Sequence, residues 1–425
     1  MSDLIPRLPR KAWILLGGDA LSAFGNGLVL PFLVIYFHRV RGIDLEIAAL
    51  SLSTMALVGL VASPVSGSLV DRIGSRKSLI LALIVSALGS VMIALVREPW
   101  HAFAAAAVSG LGTLMFWPAA QSLLSTVVAK EQRSSVFSVH YLTINLGIGV
   151  GGLTGGLLAD VGSASSFELL YVIDACSFLV FVAILLKIKD VGGRVEEVDG
   201  AGVRGYRTVF RDRIFVKVWL LMMLVVIVGY SQLEAAFPPY STGPGGISTR
   251  ALGFAFAANT FTIVMAQLVV LKKMSGRRRT RAIALLFVMW MGAWSITLIA
   301  GSFGASSAAF LFALGMVFFA LGETLLSPTI PAIVNDLAPD ELRGRYNAVY
   351  TTAWSIGHIV GPAIAGFMLA ARLGRTLFGG LVVVCGFGAY LALRLERHLP
   401  VDANVLKPPE AEPPAIPQVA TADQA

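Results

Sequence analysis

Three carboxylates stand where carboxylates are costly: Asp19, Glu234 and Glu323 each fall inside a long apolar stretch. In low-dielectric surroundings an isolated carboxylate is expensive to ionise, so it takes up a proton or attracts a cation. That is the chemistry of a proton-coupled carrier, and acids at membrane depth are functional candidates by default. The plainer reading is that each bonds a neighbouring hydroxyl or backbone group and fixes packing. No Lys or Arg falls in the interior of an apolar stretch to hold them ionised. A fourth acid, Asp174, lies nearer the end of its stretch.

Polar and aromatic residues recur beside these acids at helical spacing. Asp19, Ser22 and Asn26 share one face, as do Thr113, Trp117 and Gln121, with Pro118 beside them. Tyr230 pairs with Glu234, Glu323 with Ser327, and Tyr350, Trp354 and His358 form another row. Trp117, Tyr230, Tyr240 and Trp354 suit contact with an amphipathic ligand or its positive charge, although helical aromatics commonly just pack. Asn145, on the Tyr141 face, is a further cavity candidate, whereas His140 and His358 read as structural.

The elements that must position these residues are membrane helices. The chain is 56% hydrophobic and 14% charged over 425 residues, too apolar for a soluble core of this length. Twelve spans are expected, at 13–37, 45–70, 78–96, 101–128, 135–160, 167–187, 215–240, 250–271, 280–301, 308–334, 346–371 and 375–394. Barrel strands would be half as long and alternate in polarity. The net charge of +8 does not point to nucleic acid, because its distribution is that of a membrane topology. Of 33 Lys and Arg, only Arg39, Arg41, Arg97, Arg250, Arg372 and Arg375 fall on the side opposite the N-terminus. The positive-inside rule then places both termini and the 188–214 loop in the cytoplasm. Arg7, Arg10 and Lys11 resemble the start of a signal peptide, but the apolar run after them is too long, so span 1 reads as a retained anchor. Cys176 and Cys385 lie inside spans and imply neither a disulfide framework nor a metal cluster.

Between spans 2 and 3 only seven residues, Asp71 to Lys77, reverse the chain. Gly67, Asp71, Arg72, Gly74, Arg76 and Lys77 fit the signature Gly-x-x-x-Asp-Arg/Lys-x-Gly-Arg-Arg/Lys, with Ser75 in place of a usual arginine. The pattern resembles the loop between helices 2 and 3 of the major facilitator superfamily, where it acts as a conformational gate. Gly147, Gly151, Gly152, Gly155 and Gly156 of span 5 resemble that superfamily's antiporter signature, with Gly152 replacing its proline. Small residues at this spacing also simply let helices pack closely. Span 11 carries Gly357, Gly361, Pro362 and Gly366, including the Gly-Pro pair absent from span 5. Drug exporters of the superfamily often carry a span 4 arginine four residues before a glycine; Gly110 fits the glycine, but the arginine position is Ala106.

A shift of 210 residues superposes Gly112 on Gly322, Pro118 on Pro328, Arg133 on Arg343, Gly147 on Gly357, Gly151 on Gly361 and Gly156 on Gly366. Six spans separate the copies, so the two halves run parallel. The expected organisation is an N-terminal half at 1–187, a cytoplasmic linker at 188–214, a C-terminal half at 215–399 and a disordered Pro-rich tail at 400–425. The segment Tyr206 to Phe215 mixes basic and aromatic residues and is placed either on the membrane surface or in solvent.

The fold class is therefore all-α membrane protein, twelve helices in two six-helix halves. The resemblance implies that spans 1, 4, 7 and 10 line a central cavity and that span 6 is peripheral. It also implies a monomeric plasma-membrane carrier exporting a small amphipathic compound in exchange for protons. A metabolite symporter or facilitator is the alternative, and a multi-span receptor or membrane enzyme a third. No phosphate-binding loop or nucleophile elbow is present in the sequence, so neither ATP drive nor hydrolysis is expected, and no cofactor is expected.

Overall fold

A computed structural model describes residues 8–129, 132–188, 206–274, 276–339 and 342–405. Among them the chain is helical, with a lone β-bridge between Arg278 and Val405. Span 1 is Arg10–Val40. Spans 2 to 6 are Leu45–Ile73, Ser75–Ala94, Pro99–Thr126, Arg133–Leu158 and Ala164–Lys187. Span 7 is Arg213–Ala235, continued by Phe237–Thr242. Span 8 is Thr249–Met274 and span 9 Arg279–Ala300. Span 10 combines Ala305–Glu323 with Ile330–Leu337, and spans 11 and 12 are Arg343–Ala370 and Gly374–Leu395. Eleven of the helices are long and apolar enough to cross a membrane; span 8, with Asn259, Thr260, Thr262 and Gln267 along its 26 residues, completes the twelve.

In hydrocarbon every backbone polar group must find a partner inside the protein, so breaks in these helices are informative. The expectation of an unbroken span 10 over 308–334 is corrected. Its first helix ends at Glu323, a turn follows, and helix resumes at Ile330. Pro328 and Pro331 lack the N–H needed to continue the ladder. Span 1 has a 3₁₀ turn at Leu30–Phe32 around Pro31 and a π segment at Tyr36–Val40. Span 7 has a π segment at Val226–Tyr230 before its Pro238-Pro239 pair. The seven-residue reversal after span 2 is tighter than expected, because only Gly74 leaves the helix. Its φ of +85° is a conformation that favours glycine.

The halves repeat one another. Span 1 packs on 5 and 6, span 3 on 4 and 6, and span 2 on 4; in the second half span 7 packs on 11 and 12, span 9 on 10 and 12, and span 8 on 10. Between halves, span 2 meets span 11 and span 5 meets span 8. The repeated glycines sit at these contacts. A Cβ on Gly147 would meet Ala20 O at 2.7 Å, and one on Gly151 would meet Leu28 N at 2.9 Å, both across span 1. Gly155 lies against Leu28 and Phe32. Gly357 and Gly361 face Val226 and Ser231 of span 7, the equivalent pair. Gly156 faces Gly253 of span 8, and its repeat partner Gly366 faces Ala49 of span 2. Pro362, at the same level, is buried within span 11.

Two expectations change at the edges. The short helix Tyr206–Arg211 buries Val209, and Asp212 caps span 7, its Oδ1 accepting from Ile214 N at 2.9 Å and Phe215 N at 3.0 Å. The first residues of the expected disordered tail are folded. Val401–Asn404 is helical, Arg279 donates to Ala403 O at 2.8 Å, and Asn404 Oδ1 accepts from Thr280 N at 3.0 Å. Residues 406–425, and 189–205 of the expected linker, lie outside the described residues. Glu396 pairs with Arg281 at 3.1 Å and with Arg278.

Gly156→Val should destabilise the protein by about 1–3 kcal/mol, because a Cβ there lies 2.7 Å from Gly253 Cα with backbone on both sides. Gly379→Ala, where a Cβ meets nothing within 4 Å, should be neutral to stabilising. Thermal melts of purified protein check both. A second expectation concerns pH. The Arg281 hydrogen bond, with Arg278 second, holds the Glu396 carboxyl below the ordinary Glu range. The pair's stabilisation is therefore complete above that ordinary value and fades as pH falls through the lowered one. Glu396→Gln should lower the melting midpoint at neutral pH and converge on wild type in acid.

Candidate functional site

Span 5 stands between the halves, packed on span 1 and on span 8, and two of its consecutive residues face different ways. His140 points into the first half. Its Nε2 lies against Asp19 Oδ2 of span 1, each side chain being only 6% exposed. Tyr141, 40% exposed, lies within electrostatic reach of Glu323 in the second half. The sequence places no Lys or Arg beside Asp19, and His140 reads there as structural. The structure places the His140 imidazole against the Asp19 carboxylate, a partner the sequence left unassigned.

Glu323 ends the first helix of span 10, half-buried, where the helix's free carbonyls carry partial negative charge. Tyr230 of span 7 and Asn259 of span 8 are its polar neighbours. Tyr230 also touches Trp354, with ring centroids 4.9 Å apart, and Trp354 stacks on His358 at 5.8 Å. His358 Nε2 is 3.8 Å from Glu234 Oε2, at 22% and 27% exposure. Glu234, His358, Trp354, Tyr230 and Glu323 thus form one chain of contacts, and each half places a carboxylate–histidine pair across equivalent helix pairs, 1 with 5 and 7 with 11.

Not every expected residue joins this wall. Trp117, 43% exposed, meets His140 edge-on at 6.3 Å, and Gln121 is exposed one turn further along span 4. Asn145 is turned inward on its own helix, donating to Tyr141 O at 2.8 Å. Asn26 lines a separate small cavity within the first half. Tyr240 is buried against Phe312 and Phe378, so its role is packing. Ala106, at the position of the missing arginine, is 2% exposed. In the motif between spans 2 and 3, Arg76 donates to Leu185 O at 2.9 Å and Leu186 O at 3.1 Å, closing off the end of span 6. Arg72 and Lys77 are exposed, and the side chains of Gly67 and Asp71 lie outside the described residues. The sequence signal for the overlooked partners was a histidine inside a span on the helix paired with each acid. Helix pairing, the missing premise, is tertiary.

Contacts between the halves gather away from the termini among the described residues. Arg39 donates to Thr242 O at 3.0 Å, Thr249 to Ala159 O at 2.6 Å and Ser53 to Ile359 O at 2.7 Å. Trp117, Gln121 and Tyr141, nearer the terminal side, are exposed instead. The arrangement can hold protons or cations on its carboxylates, can receive an amphipathic molecule against its aromatics, and is closed on one side.

The sequence pattern of the Major Facilitator Superfamily matches residues 15–302 and, overlapping, 246–421. The chain is 25% identical over 417 residues to a Na(+), Li(+), K(+)/H(+) antiporter of Planococcus maritimus, covering 89% of this chain and 94% of that one. It is 22% identical to the quinolone resistance protein NorA of Staphylococcus aureus, covering 92% and 97%. A POT family transporter solved with 5-aminolevulinic acid superposes with a TM-score of 0.80 at 14% identity, covering 93% and 99%.

Removing one member of the Asp19–His140 pair leaves the other buried without its partner. His140→Ala should destabilise by about 3–5 kcal/mol, and Asp19→Asn combined with His140→Ala should cost less than those two single changes added together. A double-mutant cycle read by unfolding checks this; additive losses would show that the two side chains do not interact.

Proposed function

The chain belongs to the Major Facilitator Superfamily, and we propose that within it the protein exports a small amphipathic, cationic compound in exchange for protons. It is a multi-pass membrane transporter and not an enzyme. The observation that carries the finer reading is the line of contacts joining Glu234, His358, Trp354, Tyr230 and Glu323. It sets aromatic faces beside two acids, so a cation can stack on Trp354 or Tyr230 while its charge is met by a carboxylate. Proton and substrate then compete for that carboxylate, and the acid must release its proton before it can receive the cation. Alternating access carries the loaded site from one side to the other. Asp19, paired with His140, serves as a second proton-holding position buried inside the first half.

The relatives named as an antiporter and as a resistance protein support exchange and efflux, at identities of 25% and 22%. Sidedness follows from the distribution of Lys and Arg, with the termini in the cytoplasm of a plasma-membrane protein. The closed side, at Arg39–Thr242 and Thr249–Ala159, is then external, and the cavity faces inward. Asp71 and its neighbours in the span 2–3 turn are the proposed gate for the opposite state.

Glu323→Gln imitates the protonated acid without added bulk. It should abolish accumulation driven by a pH gradient in inverted vesicles while keeping downhill exchange of bound compound; Asp19→Asn should act likewise. Substrate-induced proton release, measured alongside flux over a panel of compounds, is the test. Wild-type coupling in both variants, singly and together, would remove these residues from the mechanism. Uptake with the proton instead of against it would establish a symporter.

A further inference from the structure

Within the first half, spans 1, 2, 3, 4 and 6 enclose a cavity of about 50 Å³ that the proposed mechanism does not use. Its acid is Asp174, 3% exposed. Ser90 Oγ donates to Asp174 Oδ2 at 2.6 Å. Asp174 Oδ1, Ser109 Oγ and the Tyr171 hydroxyl are all buried with no hydrogen-bond partner. Ser86, Thr113 and Asn26 complete the polar lining. Thr113 is exposed and Asn26 half-buried, so the cavity is open on their side.

Buried polar atoms are seldom left unpaired, and three on residues that line one small cavity call for an occupant. The lining specifies its chemistry. Apart from the Asn26 amide nitrogen, every polar side-chain atom is an oxygen, and a single carboxylate supplies the charge. Arg41, the cation nearest along span 1, is already held by the Tyr36 hydroxyl, Ala94 O and Glu168. A divalent ion would want several carboxylates, and the described residues contain no such group. A monovalent ion needs one, with neutral oxygens to replace its water. We propose that this cavity binds a partly dehydrated alkali cation of sodium or lithium size, held by Asp174, Ser109 and Tyr171, with Ser90 fixing the carboxylate. The loaded site is electrically neutral inside the membrane, which offsets the cost of burying either charge alone.

The test is equilibrium binding to the intact purified protein, without substrate or gradient, so its outcome is independent of the export reading. Melting midpoints are recorded against NaCl, LiCl and choline chloride at constant ionic strength. Saturable stabilisation by NaCl or LiCl over choline is expected, and Asp174→Asn should abolish it. Because loss of a buried acid can itself prevent folding, Ser109→Ala is the second variant. It keeps the carboxylate and should weaken apparent cation affinity about tenfold. No difference between the alkali chlorides and choline overturns the proposal, and so does an unchanged response in Ser109→Ala and Asp174→Asn. Stability that follows pH but ignores the cation also overturns it, and would identify a protonated Asp174 hydrated by water alone.

Discussion

The close approach of span 5 to its neighbours is the contact on which the rest of the arrangement depends. Lipid supplies no hydrophobic force between helices, so their association relies on van der Waals contact and buried polar bonds. Glycines give span 5 two such surfaces. Gly147, Gly151 and Gly155 admit the span 1 backbone, and Gly152 and Gly156 admit span 8. One helix therefore belongs to both halves at once. The position of its polar residues follows: His140 is delivered to Asp19 and Tyr141 to the neighbourhood of Glu323.

Charge placement obeys the same economy. Asp19 and Glu234 each have a histidine across the helix contact, and Asp174 has Ser90 and a small polar cavity. Glu323 has instead a broken helix end, Tyr230 and Asn259. These four settings differ in exposure and in the kind of partner. The helix breaks in spans 1, 7 and 10 lie at different depths, and irregular backbone of this kind is tolerated where protein or a cavity surrounds it.

The two halves are alike in pairing and unlike in chemistry. Spans 1 with 5 and 7 with 11 are equivalent by the 210-residue repeat, and the Gly156 and Gly366 contacts exchange roles across the interface. Yet Asp19 does not align with Glu234, nor His140 with His358, under that shift. Duplication explains the scaffold; the acids occupy different depths on it. A rocking motion of two similar bodies can then present dissimilar groups to one cavity.

The sequence alone determined the number of spans, the parallel halves, the cation asymmetry and the identity of the acids at membrane depth. Each of these is local: hydropathy over some twenty residues, a count of charges, a fixed repeat. The glycine stripe of span 5 was legible for the same reason, although not which face met which helix. Tertiary structure decided the partners. His140 lies 121 positions from Asp19, and Ser90 lies 84 from Asp174, so no spacing rule links them. It also decided that span 10 stops at Glu323, since Pro328 and Pro331 mark a break only within a few residues, and that residues 401–405 fold back on Arg279 and Thr280 although they follow Pro400 and form no span-length apolar run. A buried charge selects its partner through space, and only the packed helices fix which groups share that space.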